Sequence, residues 1–234
     1  MYLDATRLAV GFLILLIASY TDIKTRRASN ILWAIMAIVG GILLVIQYFT
    51  VEFENIYILI FIPIMIGLVY LLFQVGLIFG GADAKALMAI AILVPTLPQI
   101  YQIPMWGQSF MPAAWTIFSN SIILFLAIPI GMFMYNIFKR NIKFPYCFLG
   151  YRMKIDKARE KFVWPLEKLV DGKRKFAYMP KGYEVEEELD EFEKNEINEI
   201  WVTPKIPFMI PLLVGFIFTF VFGDILATFM QLFI

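Results

Sequence analysis

Long apolar blocks separated by short polar segments dominate this sequence. Six blocks come close to the ~20 residues that an α-helix needs to cross a ~30 Å hydrocarbon core. They cover residues 3–20, 30–49, 56–79, 84–101, 113–138 and 206–234. The pattern predicts a mainly α, polytopic membrane protein with six transmembrane helices.

A polar insert lies between the fifth and sixth blocks, and residues 139–205 hold most of the charge. Asp171-Gly172 favours the tight turn of a β-hairpin. Residues 184–199 include nine acidic residues and one lysine. This stretch is either a solvated helical face or connector, or an acidic surface for a basic substrate. We expect three regions: 1–140 with five membrane helices, 141–205 as a small cytoplasmic α+β insert, and 206–234 as the sixth helix.

Basic residues indicate the orientation in the membrane. They cluster in the segments after the first and fifth blocks: Lys24, Arg26, Arg27, Lys139, Arg140 and Lys143. The loop at 50–55 carries only acidic charge, and the loop at 102–112 carries none. Because cytoplasmic loops are enriched in Lys and Arg, we expect a cell-membrane protein with its N-terminus outside and its basic segments in the cytoplasm.

Composition narrows the possible chemistry. The chain is 61% hydrophobic and 17% charged, against about 25% charged in soluble domains. It contains no histidine and one cysteine, Cys147. Triads that need histidine, histidine-bound zinc and internal disulfides are therefore excluded. Hydrolysis would have to use carboxylates, hydroxyls, lysines or an oxygen-bound metal.

Three carboxylates lie at or within the predicted helix bundle, apart from Asp4 near the N-terminus: Asp22, Asp83 and Asp224. Charges within membrane helices are costly and usually mark function. The first helix ends at Asp22 and the fourth opens with Asp83, so the topology predicts both at the cytoplasmic end. Asp224 lies about two-thirds along the last block, nearer the opposite face, and we interpret it as structural.

Two carboxylates from different helices at one depth are what an aspartyl protease requires. Like charges a few ångströms apart do not both ionise cheaply, so such a pair holds one proton. Gly80, Gly81 and Ala82 precede Asp83. These small residues would let a substrate backbone approach closely. A tight interhelical turn with an Asp cap explains the same residues without catalysis.

These residues resemble the motifs of type IV prepilin peptidases, which are membrane aspartyl proteases of the Gly-x-Gly-Asp type. Residues 22–30, Asp-Ile-Lys-Thr-Arg-Arg-Ala-Ser-Asn, resemble the first-aspartate segment, although Ala28-Ser29 replaces Ile-Pro. Residues 80–85, Gly-Gly-Ala-Asp-Ala-Lys, resemble the second motif, with Ala82 in place of the third glycine. The likeness is strongest to archaeal preflagellin peptidases. It covers the membrane domain, and the insert contributes little to it.

The resemblance implies an aspartyl endopeptidase with Asp22 and Asp83 as catalytic residues. Its substrates would be preflagellin or prepilin-like precursors, cut behind a short basic leader on the cytoplasmic side. The cysteine cluster that binds zinc in bacterial members is missing, so methyltransferase activity is not implied. We expect no cofactor and no metal. The expected partners are such substrates and the lipid bilayer, without nucleic acid.

Other classes of protein share some of these features. Presenilin-like intramembrane proteases use a similar Gly-x-Gly-Asp motif but have nine spans and a Pro-Ala-Leu motif. An ion-coupled transporter could use Asp22 and Asp83 as relay groups, although transporter sites usually lie near the midplane of repeated halves. A scaffold without catalysis is a further alternative.

Overall fold

The computed structural model describes residues 2–50, 59–78, 80–98, 100, 104–105, 109, 111–177 and 185–233. These residues are mainly helical and form two compact units. The first comprises Met1–Phe125 with Pro207–Ile234, and the second comprises Leu126–Ile206.

The helices of the first unit are, in chain order, α1 (Tyr2–Thr25), α2 (Asn30–Thr50), α3 (Phe61–Gln74), α4 (Gly81–Leu93), α5 (Ala113–Phe125), α10 (Met209–Val221) and α11 (Ile225–Gln231). Those of the second are α6 (Ala127–Phe138), α7 (Tyr146–Leu149), α8 (Ile155–Glu160) and α9 (Val185–Lys194). Its strands are β1 (Tyr151–Lys154), β2 (Val163–Pro165), β3 (Glu167–Val170), β4 (Lys173–Phe176) and β5 (Glu199–Pro204).

The described residues support fewer membrane spans than the six predicted. Tyr2–Thr25, Asn30–Thr50 and Ala113–Phe138 are long and apolar enough to cross a membrane, and α10 with α11 adds a fourth if the bent pair is one span. The block at 56–79 contains α3, which has 14 residues, and the block at 84–101 contains α4, which has 13. Both blocks extend into residues outside the described part.

Proline chemistry accounts for the short α4. The helix ends at Leu93, directly before Val94 and Pro95. The residue before a proline disfavours the helical conformation, and proline itself lacks the N–H that a helix interior needs. The apolar run therefore continues beyond the helix, and hydropathy alone overestimates the helical length.

A glycine ends α3 and directs the chain towards α4. Gly76 has φ of +76°, in the region where a side chain is disfavoured. Its N–H donates to the Phe73 carbonyl at 3.1 Å, and the Leu77 N–H donates to the Leu72 carbonyl at 2.9 Å. This pair of bonds is the Schellman arrangement, which satisfies the last carbonyls of a helix.

Glycines allow the helices of the first unit to approach each other closely. A Cβ at Gly40 of α2 would lie 2.7 Å from the Leu93 Cα of α4. A Cβ at Gly215 of α10 would lie 2.8 Å from the Ser121 backbone nitrogen of α5. Small residues at such crossings let apolar helices approach closely, as is common in membrane bundles.

The last helical segment is broken between α10 and α11, which are bent by 52° relative to each other. Gly223 has φ of +101° at the break. The buried Asn120 side chain donates to the Gly223 carbonyl at 2.8 Å and accepts from the Ile225 N–H at 3.1 Å. Asn120 thereby satisfies backbone groups that the bend releases from the helical pattern.

The second unit contains a small antiparallel sheet in the order β1-β5-β2 and a separate hairpin of β3 and β4. The hairpin turns at Asp171 and Gly172, which both have positive φ, as a type I′ turn requires. The predicted Asp-Gly hairpin is therefore present. Its first strand is β3, and the preceding segment Val163–Pro165 pairs with β5.

Helix α9 lies in the stretch with nine acidic residues. Its apolar face buries Leu189 and Phe192. Arg159 of α8 binds Asp190 and Glu193, whose side chains are exposed. These exposed acidic side chains fit the interpretation as a solvated helical face.

Candidate active site

Asp22 lies in the last turns of α1, which continues to Thr25. The apolar block ends near residue 20, but the helix continues beyond it, so Asp22 is part of α1. Its carboxylate is partly exposed and lies near enough to interact with the charge of Arg26 and with the Met209 backbone N–H. Helix α10 therefore begins next to Asp22, the first candidate residue.

Asp83 lies in the first turn of α4. Gly80, the residue before the helix, has φ of −97° and ψ of 119° and provides no side-chain cap. A Cβ built on Gly80 would lie 2.1 Å from Asp83 Oδ2. The Asp83 side chain therefore folds back over the Cα of Gly80 and occupies the space that any other residue would fill.

The structure brings Asp22 and Asp83 close enough for their charges to interact. They are the only pair among the three aspartates of interest that the structure brings together within its described residues. They come from α1 and α4, which are separated in sequence by α2 and α3. The two carboxylates together form the candidate site.

The two motif segments also share a contact that the sequence did not predict. Lys85 donates from Nζ to the Asn30 side-chain oxygen at 2.9 Å. Asn30 begins α2, and Lys85 lies one position beyond the first turn of α4. Both residues belong to the motif segments 22–30 and 80–85, but nothing in their spacing indicated a contact between them. The hydrogen bond links the two helices beside the aspartate pair.

Asp224 is elsewhere and has a structural environment. It precedes α11, accepts a hydrogen bond from the Ala227 N–H at 3.1 Å and is only 4% exposed. Thr116 donates to its second oxygen at 3.3 Å. Asp224 lies roughly 20 Å from Met209, the residue beside Asp22, because α10 lies between them and a helix rises about 1.5 Å per residue. The role as a helix cap agrees with the sequence interpretation.

Carboxylates are the chemical groups that this site offers. Among the described residues, no group of three or more Asp, Glu, His or Cys side chains could hold a metal ion. Gly81 leaves room beside the pair, because the nearest heavy atom to a Cβ there would be Phe73 Cζ at 3.7 Å. An extended peptide backbone could approach the site over this surface.

An apolar helical unit with two carboxylates near each other has the groups that a membrane-associated peptidase of the aspartic class requires. Residues 9–137 match the type IV leader peptidase family (Peptidase A24), and residues 142–225 match the archaeal peptidase A24 C-terminus, type II. The chain belongs to the type IV leader peptidase family.

Two similar relatives carry the name preflagellin peptidase. The protein of Methanococcus voltae is 29% identical over 92% of this chain and 94% of its own length. That of Methanocaldococcus jannaschii is 29% identical over 96% of this chain and 97% of its own length. These similarities do not favour the presenilin-like, transporter and scaffold alternatives.

The comparisons correct one expectation. The resemblance was expected to lie in the membrane domain with little contribution from the insert, yet residues 142–225 match an archaeal family region of their own. The insert has no short motif of reactive residues.

Proposed function

We propose that this peptidase removes short basic leader peptides from preflagellin or type IV prepilin-like precursors, with Asp22 and Asp83 as its catalytic residues. The observation that carries the proposal is that these two carboxylates, from separate helices, lie near enough for their charges to interact. The relatives named preflagellin peptidase support the class of substrate.

The pair would work by sharing one proton. The ionised carboxylate removes a proton from a water molecule, which attacks the scissile carbonyl carbon. The protonated carboxylic acid donates a hydrogen bond to the carbonyl oxygen. As the tetrahedral intermediate collapses, the C–N bond breaks and a carboxyl group returns a proton to the leaving amine. Any measured titration would belong to the pair as a unit.

The proposed topology has six spans, the N-terminus outside and the aspartate pair at the cytoplasmic face. It is supported by the basic residues after the first and fifth apolar blocks, because positive charge is retained in the cytoplasm. It divides the chain into membrane helices at 1–140 and 206–234 and a cytoplasmic insert at 141–205. Precursors would then meet the pair before their apolar segments leave the cytoplasm.

Cleavage by the full chain in detergent or nanodiscs tests the proposal. The substrate is a preflagellin-like precursor with a basic leader ending in glycine before an apolar segment, and mass spectrometry locates the cut. We expect one cut after the glycine with wild-type protein and none with Asp22→Asn. An intact substrate with wild-type protein, or undiminished cleavage by Asp22→Asn, would contradict the proposal.

A second substrate isolates the role of leader charge. Replacing the leader Lys and Arg by Gln should raise KM, because the proposed recognition uses those charges. If the neutral leader is cut with unchanged kcat and KM, the peptidase assignment holds and the preference for a basic leader is wrong.

A further inference from the structure

The start of the last membrane helix has an unusual set of hydrogen-bond partners. The first N–H groups of any helix lack partners within it. Phe208, the residue before α10, provides no side-chain cap. The Ile210 N–H donates to the Pro207 carbonyl at 3.4 Å, and the Leu212 N–H donates to the Phe208 carbonyl at 3.0 Å. Pro211 has no N–H.

The remaining N–H of this turn belongs to Met209, and the Asp22 carboxylate of α1 lies near enough to interact with it. Asp22 is thus in the position of a helix cap, although it is 187 positions away in the sequence.

Ser19 makes the complementary contact on the same residue. It lies three positions before Asp22, on the same face of α1. Its hydroxyl donates to the Met209 carbonyl at 3.0 Å, and the side chain is 5% exposed. Ser19 therefore binds the Met209 C=O, and Asp22 interacts with the N–H of the same residue.

The two helices are also in close contact farther along. A Cβ at Gly11 of α1 would lie 2.3 Å from Phe216 Cζ of α10. This apolar contact brings the two helices together but does not orient the Asp22 carboxylate. The polar contacts at Met209 are the ones that orient it.

We propose that Ser19 is a positioning residue of the peptidase, docking the first turn of α10 on α1 so that the Met209 N–H holds the Asp22 carboxylate in its working orientation. The inference rests on the proposed function, in which Asp22 reacts. Ser19 itself does not touch the substrate. Its loss should affect the chemical step more than substrate binding.

Ser19→Ala tests the proposal, with Ser121→Ala as the matched control. Ser121 is also fully buried, but its hydroxyl donates to the Ile117 carbonyl of its own helix. We expect Ser19→Ala to lower kcat about tenfold, as for an ordinary hydrogen bond, with KM within about twofold of wild type. Ser121→Ala should keep wild-type kcat, and thermal unfolding should be similar for both variants.

Two results would overturn the inference: wild-type kcat in Ser19→Ala, or an equal fall in kcat in Ser121→Ala. If the fall in Ser19→Ala is matched by loss of folded protein, Ser19→Cys decides, since its thiol is a weaker donor of similar size. A reduced kcat with unchanged KM supports the inference, and a wild-type kcat refutes it. A wild-type protein that cleaves no precursor would instead contradict the proposed function.

Discussion

The two adjacent glycines before Asp83 should respond differently to the same substitution. An added methyl group at Gly80 would lie 2.1 Å from Asp83 Oδ2 and 2.8 Å from its Cγ. Carbon and oxygen atoms normally approach to about 3.3 Å. The carboxylate would therefore have to move by roughly 1 Å, which is enough to lower the rate of a catalytic step about 100-fold.

The backbone at Gly80 does not require glycine. Its φ of −97° and ψ of 119° are in the extended region open to all residues. Gly80→Ala should therefore fold, with a contribution of about 0.4–1 kcal/mol from reduced freedom of the unfolded chain. Loss of activity would come from the displaced Asp83 carboxylate and not from unfolding.

Gly81→Ala is the matched control. A methyl group there meets only Phe73 Cζ at 3.7 Å and Cε2 at 3.8 Å, which is ordinary contact. It should keep kcat within about twofold of wild type, and any effect on substrate approach should appear in KM. The assay is cleavage of a preflagellin-like precursor at saturating and limiting concentrations. Equal falls in kcat for both variants, or a wild-type kcat in Gly80→Ala, would refute this reasoning.

Three further variants separate the site from its surroundings. Asp224→Asn should keep most cleavage activity, because this carboxylate caps α11; a loss as complete as that of a catalytic variant would contradict the placement. Lys85→Met should reduce kcat by no more than about tenfold, since it removes one exposed hydrogen bond to Asn30, and Lys85→Arg should restore part of it; identical activities in all three forms would exclude a role. Asn120→Ala should lower the free energy of unfolding by about 2–4 kcal/mol, because it leaves buried backbone groups without partners; an unchanged thermal midpoint would contradict this.

Local sequence patterns predicted the elements whose formation is determined by neighbouring residues. Apolar blocks indicated α1 and α2, and Asp171-Gly172 indicated the hairpin. The break between α10 and α11, before Asp224, was not predicted because the apolar run continues through it. It depends on Asn120, about 100 positions earlier, whose side chain replaces the lost helical hydrogen bonds.

For the candidate site, too, the sequence predicted some features and missed others. Counting helices was sufficient to expect Asp22 and Asp83 at one end, because chain direction alternates from span to span. The contacts of Met209 with Ser19 and Asp22 join positions about 190 residues apart. Their partners are backbone groups, which every residue has, so the sequence contained no signal for them.

The central claim is that Asp22 and Asp83 act as one catalytic unit. Its most direct measurement is the cleavage rate of Asp22→Asn, Asp83→Asn and the double variant, each in folded protein and with the same precursor. Residues that act as a unit are strongly non-additive. We predict that each single variant reduces cleavage to background and that the double variant is no slower than either. Substantial cleavage by a single variant, or a further multiplicative fall in the double variant, would contradict the claim.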